Sequence, residues 1–250
     1  MIRVIDVNMK QFLSISLLLF ILTGCAEYDV ENEGVFYSYV DHNLNGVKKP
    51  LEGADPETFE VMDNDDYGKD LHSVFYKGER IPGADASSFE FVGDLFAKDK
   101  FRVFYAGDSI HASSSRGFRI IDSYYSADHK DIYWTTEPLH VCSTNDFELI
   151  PLDSNEHEFE RWATDGCWYY LRHFKIPSDD YANVHLYRGS AGFAKDRNWV
   201  YHLDRKINFI DGERILDTVD VATFTVSRYI ECKDKFGCIN PYHGREPCDP

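Results

Sequence analysis

The chain has 250 residues, 43% apolar and 15% aromatic, enough to fill the core of one or two globular domains, which excludes a disordered polymer. Its formal net charge of −17 excludes general attraction to nucleic-acid phosphates and opposes adhesion to anionic lipid. With 18 Phe and 16 Tyr against 3 Met, the side chains suit pleated, half-buried surfaces, and the expected fold class is all-β.

At the N-terminus, Lys10 precedes an apolar run from Phe12 to Leu22. The run is too short to cross a bilayer as a helix and has the length of a signal-peptide core. Asp6 is out of place ahead of such a core, so Met9 fits a start codon better than Met1. The string Leu22-Thr23-Gly24-Cys25 resembles the lipobox of bacterial lipoproteins, although its small residues also suit ordinary cleavage near Gly24. The resemblance implies cleavage before Cys25 and acylation of that cysteine, with several acyl chains giving stable anchoring. The expectation is therefore a signal peptide over 1–24 and an acidic tether over 25–34. The body would lie in the bacterial cell envelope, joined to a membrane through Cys25. By analogy with lipoprotein sorting, Ala26 in place of an aspartate favours the outer membrane.

Beyond the tether the chain repeats itself. Asp41, Asp70, Asp99 and Asp128 fall 29 residues apart, and Phe89, Phe118 and Phe147 each follow a repeat Asp by 19. Phe59 follows Asp41 by 18. Later copies carry insertions: Ile176 to Asp180 echoes Ile81 to Asp85 and puts Asp165 in register, with Val184 in the Phe slot. Another copy runs from Ala194 through Asp211-Gly212 to Phe224, and Lys233-Asp234 opens a last one that reads as truncated. A fixed period of this size marks a repeat architecture.

The stretch Phe89–Tyr105 shows the unit best. Phe89, Phe91 and Leu95 alternate with Glu90 and Asp94, the period of a strand with one buried face. Lys98-Asp99-Lys100 breaks the pattern with a turn-forming Asp, and Val103-Phe104-Tyr105 resumes an extended strand. Ala106-Gly107-Asp108 is a second turn. A hairpin of this size cannot bury its own rings, so neighbours must stack, and 29 residues is shorter than the roughly 40–45 of a propeller blade. The expected architecture is tandem β-hairpin repeats in an elongated open array over 35–235, with a closed propeller or barrel as the alternative. An irregular Cys/Pro-containing tail would follow over 236–250.

The strings Lys98 to Tyr105, Lys195 to Tyr201 and Gly53-Ala54-Asp55-Pro56-Glu57-Thr58-Phe59 resemble the DKNYY repeat family of bacterial proteins. The resemblance covers roughly Val35 to Asp234 and implies a repeat scaffold, with no catalytic residues to carry over. Where copies depart from the family strings, as at Ala127, Thr164 and Ser113-Ser114-Ser115, the unit's shape is expected to matter more than its chemistry.

Several motifs invite chemistry. Asp41, Asn43, Asn45, Gly46 and Glu52 match a calcium-loop pattern, in which short oxygen side chains wrap a hard cation. Against this, Lys48, Lys49 and Pro50 sit inside the would-be loop, and Asn45-Gly46 is a natural hairpin turn. Asp63-Asn64-Asp65-Asp66 starts like a second loop but has Tyr67 and Val74 where ligands belong. Past Cys25, Cys142, Cys167, Cys232, Cys238 and Cys248 remain; in an exported protein they read as disulfides with one left over, Cys142 with Cys167 being one plausible pair. No C-x-x-C is present to support zinc. Ser113-Ser114-Ser115 lacks a nucleophile elbow. Carboxylates could serve a glycosidase, but they recur with the repeat, as turn residues do. Trp134, Trp162, Trp168, Trp199, Tyr169 and Tyr170 suit cross-strand packing, or a platform for a sugar or peptide. The sequence thus assigns no catalytic residue, cofactor or metal. It favours a non-enzymatic module for an envelope protein or glycan over a carbohydrate hydrolase or a purely structural protein. Specificity is expected at the largest break in the period, Asp153 to Asp180.

Overall fold

The computed structural model describes residues 27–153, 157–207, 209–210, 214–215, 219–228, 231–242 and 244–248, so Cys25 and the leader lie outside it. The fold is all-β. Among the described residues, 27 strands form seven small antiparallel sheets, and Phe209–Ile210 pairs with Arg214–Ile215 in a separate ribbon. None of these sheets closes on itself. The chain divides into two compact units, one ending at Ser109 and one starting at Ile110.

The first unit opens with a three-stranded sheet, Glu27–Glu31, Gly34–Val40 and Gly46–Pro50, paired from Glu27↔Ser38 to Glu31↔Gly34 and from Phe36↔Pro50 to Val40↔Gly46. The expected tether over 25–34 is thereby corrected. Tyr28 is buried, and its hydroxyl donates to Asp66 O while accepting Gly78 N–H, so the stretch is a paired strand anchored by one packed ring.

The other six sheets share one plan, a meander of four short strands. In the third sheet these are Glu90–Gly93, Phe96–Lys98, Val103–Tyr105 and Asp108–Ser109. The second sheet has Glu60–Val61, Tyr67–Lys69, Val74–Tyr76 and Glu79–Arg80. The second unit holds the remaining four, whose central hairpins are Tyr125–Ala127 with Ile132–Trp134, Trp162–Thr164 with Tyr169–Leu171, Phe193–Lys195 with Val200–His202, and Glu231–Asp234 with Gly237–Asn240. The expected hairpin is thus the middle of a wider sheet. Its flanking strands, most of them two residues long, are too short to leave a period-two pattern. The last copy is complete, because Gly237–Asn240 and Gly244–Glu246 supply the third and fourth strands where an irregular tail was expected.

The repeat Asp closes each central hairpin, and it is buried in all six four-stranded sheets: Asp70, Asp99, Asp128, Asp165, Asp196 and Asp234. Asp99 shows the arrangement. Its Oδ1 accepts N–H from Phe101 and Arg102, both at 2.7 Å, and its Oδ2 accepts N–H from Asp85 at 3.0 Å. The first pair shapes the turn, and the third bond ties it to the loop that enters the same sheet. The loop answers in kind: Asp85 caps a short 3₁₀ turn over Ala86–Ser88, and Ser88 Oγ accepts N–H from Lys100 at 3.0 Å. Asp55, Thr58, Asp70 and Leu71 make the same clasp in the second sheet, and Asp220, Thr223, Asp234 and Lys235 in the seventh.

This clasp explains why the string before each Phe can decay. Gly53, Gly83, Ala112 and His140 occupy one slot with φ of 75°, 71°, 57° and 54°, and two residues later the backbone N–H of Asp55, Asp85, Ser114 or Cys142 reaches the buried carboxylate. A backbone donor serves whatever the side chain is.

A second rule lies two residues before each repeat Asp, where Gly68, Ala97, Ser126, Ala163, Ala194 and Cys232 stand. A Cβ on Gly68 would meet the Phe59 ring at 2.4 Å. Small residues in this slot make room for the landmark Phe, as Phe89 with Ala97 and Phe224 with Cys232 do in their clusters.

Consecutive sheets of a unit share their cores. One cluster joins Tyr67 and Val74 of the second sheet to Ala97 and Phe104 of the third; another joins Trp162 and Leu171 of the fifth to Ala194 and Tyr201 of the sixth. Polar bonds reinforce the stacking: Tyr67 Oη donates to Leu95 O and accepts Gly107 N–H at 2.9 Å, and Lys69 Nζ donates to Phe89 O at 3.1 Å. Gly107 is obligatory, since its φ is 86° and a Cβ would lie 2.8 Å from Tyr76. The residue before it, in the same slot as Lys77, Thr135, Arg172 and Leu203, is also left-handed without being glycine.

Two outcomes follow for the full-length chain in urea unfolding. Asp99→Ala removes the shared acceptor of three part-buried N–H groups and is expected to cost about 2–3 kcal/mol, whereas Asp41→Ala, in an exposed turn, shifts the midpoint far less. Thr135→Gly relieves a β-branched residue at φ 50° and is expected to stabilise by about 0.5–1 kcal/mol.

Candidate functional site

The buried repeat carboxylates are structural. Burial by itself would raise the pKa of Asp165. The N–H groups of Cys142, Cys167 and Trp168 and the Tyr170 hydroxyl outweigh it and hold the carboxyl below the usual range. The same balance lowers Asp128 and Asp196, and Arg245 adds a two-pronged pair on Asp234. A general acid at neutral pH needs the opposite shift.

The calcium pattern is pulled apart. Asp41 Oδ1 accepts N–H from Asn43 and Asn45, both at 2.9 Å, and closes the turn between the second and third strands. The strand Gly46–Pro50 then carries Glu52 to the far end of the first sheet. Ser113-Ser114-Ser115 belongs to the entry loop of the fourth sheet, where Ser114 N–H meets Asp128.

Cys142 is bridged to Cys167, and Cys238 to Cys248. The first bridge links the entry-loop slot of Asp85 to the turn of Asp165, a junction held by an Asp85–Lys100 ion pair in the third sheet and by Asp220–Lys235 in the seventh. Cys232 fills the small-residue slot, its thiol 3.0 Å from Ile239 O. Burial and that slot are its role.

The aromatic set divides. Trp134, Trp162 and Tyr170 are core, while Trp168, Trp199 and Tyr169 are half-buried. Trp168 and Trp199 occupy the same turn position of consecutive sheets, three residues after Asp165 and Asp196, and each is faced by a lysine of the fourth strand. Lys175 Nζ lies 3.8 Å from the Trp168 ring centre and Lys206 Nζ 4.3 Å from that of Trp199. Tyr169 stacks on Tyr181 at 4.7 Å.

Beside Trp199 the clasp is widened into a cavity of about 230 Å³, lined by Asp179, Asp180, Asp196, Arg197, Asn198 and Trp199. In most other sheets a loop N–H meets the repeat carboxylate directly; here Ser178 Oγ intervenes, donating to Asp196 at 2.7 Å and accepting Asp180 N–H at 3.0 Å. Inserting a hydroxyl between loop and turn opens the gap. Arg197 grips Asp180 through Nε at 2.6 Å and Nη2 at 3.1 Å, which holds that carboxyl below the usual range. The result is a half-buried indole beside a fixed guanidinium–carboxylate pair, with Asp179 and Asn198 exposed at the rim. Such a set hydrogen-bonds hydroxyls and offers an apolar wall.

Sequence reasoning named Trp199 and the region from Asp153 to Asp180. It missed Arg197 and Asn198, and within the named region it gave Ser178 no role; the visible signal was Ser178 standing where Gly83 stands in the better-matched copy. Of the region itself, Phe159 is drawn over the fourth sheet, 5.6 Å from both Tyr124 and Trp134, and takes no part in the cavity.

The sequence model of the DKNYY family matches residues 2–108 and again 96–237. The chain belongs to the DKNYY family. No curated protein and no solved structure matches it. The two overlapping matches agree with a scaffold in which one plan recurs, and the Lys-Asp of the family string is the turn that the buried carboxylate closes.

Peptide mapping without reduction is expected to recover Cys142 linked to Cys167 and Cys238 linked to Cys248, with Cys232 alkylated only after denaturation. A Cys232 peptide in a disulfide would contradict that arrangement.

Proposed function

We propose that this protein is a lipid-anchored component of the bacterial envelope that binds a glycan without transforming it, through the cavity at Trp199. The observation that carries the reading is the chemistry of that wall. A half-buried indole flanked by Asp179, Asn198 and the Arg197–Asp180 pair combines a ring face or edge with polar groups of both kinds, as a hydroxyl-rich ligand requires. About 230 Å³ suits a single sugar ring, so the ligand is a terminal or protruding residue of a longer chain. Binding is favoured over hydrolysis because the two carboxyls deepest in the cavity are committed, Asp196 to its turn and Asp180 to Arg197. A glycosidase needs one carboxyl poised to give a proton and another poised to attack or activate water.

Attachment rests on Leu22-Thr23-Gly24-Cys25, and a first sheet starting at Glu27 would begin two residues from the acylated cysteine. In the native host, fatty-acid labelling is expected to disappear in Cys25→Ser; persistent label would refute the anchor. For the ligand, Asp179→Ala and Asn198→Ala alter exposed residues and are expected to weaken binding to an envelope-glycan array by about tenfold or more, while Asp63→Ala, in an exposed turn of the second sheet, leaves it unchanged. Equal binding by all variants would dismiss this cavity, and shortened glycan after incubation would turn the reading to a hydrolase.

A further inference from the structure

The turn that failed as a calcium loop has another use. At its tip Leu44 is 86% exposed, the most exposed of the large apolar residues described, and it adopts φ 63°, a left-handed conformation that Asn or Gly takes more readily than Leu. The tip is firmly built. Asp41 N–H bonds Asn45 O, Leu44 N–H bonds Asp41 O, and Asp41 Oδ1 takes two further N–H groups, so the leucine is held outward on a closed turn. Val40, 39% exposed, stands at the base of the same turn.

The register of the first sheet places this tip beside the point where the chain enters. Glu27 pairs with Ser38, and Val40 pairs with Gly46 across the turn. Ser38 and Val40 are two residues apart, about 7 Å along a strand. Cys25 is two residues ahead of Glu27 and so is within ~7 Å of it whatever the conformation between. An acyl anchor on Cys25 therefore leaves no slack, and the end of the sheet that carries Val40 and Leu44 must stay near the lipid surface.

We infer that Leu44, with Val40 behind it, dips into the headgroup and acyl boundary of the membrane that holds the anchor, fixing how the first unit stands on that surface. The inference rests on acylation of Cys25. The turn's one acid does not oppose it, since the Asp41 carboxylate faces its own N–H donors, and Asn43, Asn45 and His42 suit the headgroup layer. The acyl chains supply the affinity, and the leucine supplies the orientation.

The test places photoreactive benzoylphenylalanine at Leu44, or at Phe101 as a control, in the full-length protein expressed in its native envelope. Phe101 is 63% exposed and lies in the central turn of the third sheet of the same unit. An unchanged urea midpoint shows that each variant folds, and mass analysis of the N-terminal peptide reports acylation separately. The expected result is a phospholipid adduct at position 44 and none at 101. Acylated Cys25 with no adduct at 44, or equal adducts at both positions, overturns the inference and leaves the anchor standing. An adduct at 44 without acylation overturns the anchor and, with it, the inference that the anchor sets the contact; absence of both overturns the two together.

Discussion

One buried carboxylate per sheet organises this protein. Taking an ionised Asp out of water is costly unless its lone pairs are filled, and here N–H groups from two separate stretches of the same unit fill them. The Asp closes the turn after the second strand, and the loop before the first strand is held where its N–H meets the other oxygen. Sheets whose strands are two to four residues long have few ladder bonds of their own. The carboxylate replaces part of what longer strands would provide by joining both ends of the meander at one point.

Around that point the rings obey simple spatial rules. A small residue two places before the Asp admits the landmark Phe, and a ring or aliphatic residue five places after it, from Phe75 to Ile239, packs beneath. Among the described residues, each core cluster draws on two neighbouring sheets of a unit. Stability on this plan is a sum of nearest-neighbour terms, which is why the motif can erode unevenly. Where Asp85 and Lys100 form an ion pair, Cys142 and Cys167 are bridged, and the same junction is served by different chemistry. The tyrosine hydroxyls on Asp128, Asp165 and Asp196 show the same latitude: the second and third sheets have Phe75 and Phe104 there instead.

Such a scaffold puts distinctive chemistry at departures from the plan. The cavity at Trp199 exists because Ser178 lengthens one clasp by a hydroxyl, and the outward Leu44 belongs to the first sheet, which has three strands and lacks the buried turn Asp of the later sheets. The cavity wall and the turn tip are both small changes to a repeated part. The aromatic richness that first suggests a binding platform is largely core, as Trp134, Trp162 and Tyr170 show.

By itself the sequence determined the all-β class, the repeat and its ruler, because period and ring content follow from local spacing. It also showed that the Lys-Asp belongs to a turn, since an Asp that recurs with the period and tolerates drift around it behaves as geometry. It could not show four strands per unit, because two-residue strands carry no alternation, nor that Glu27–Glu31 is a strand, because Tyr28 and Val30 among acids read equally as a tether. That the last copy is complete, through Gly244–Glu246, also depended on pairing with Gly237–Asn240. Only the tertiary structure decided that the repeat Asp is buried and saturated, since its donors Asp85 and Phe101 come from stretches on either side of it. The same holds for the cavity, whose wall joins Asp179 and Asp180 to Arg197, Asn198 and Trp199 across a clasp that no local pattern records.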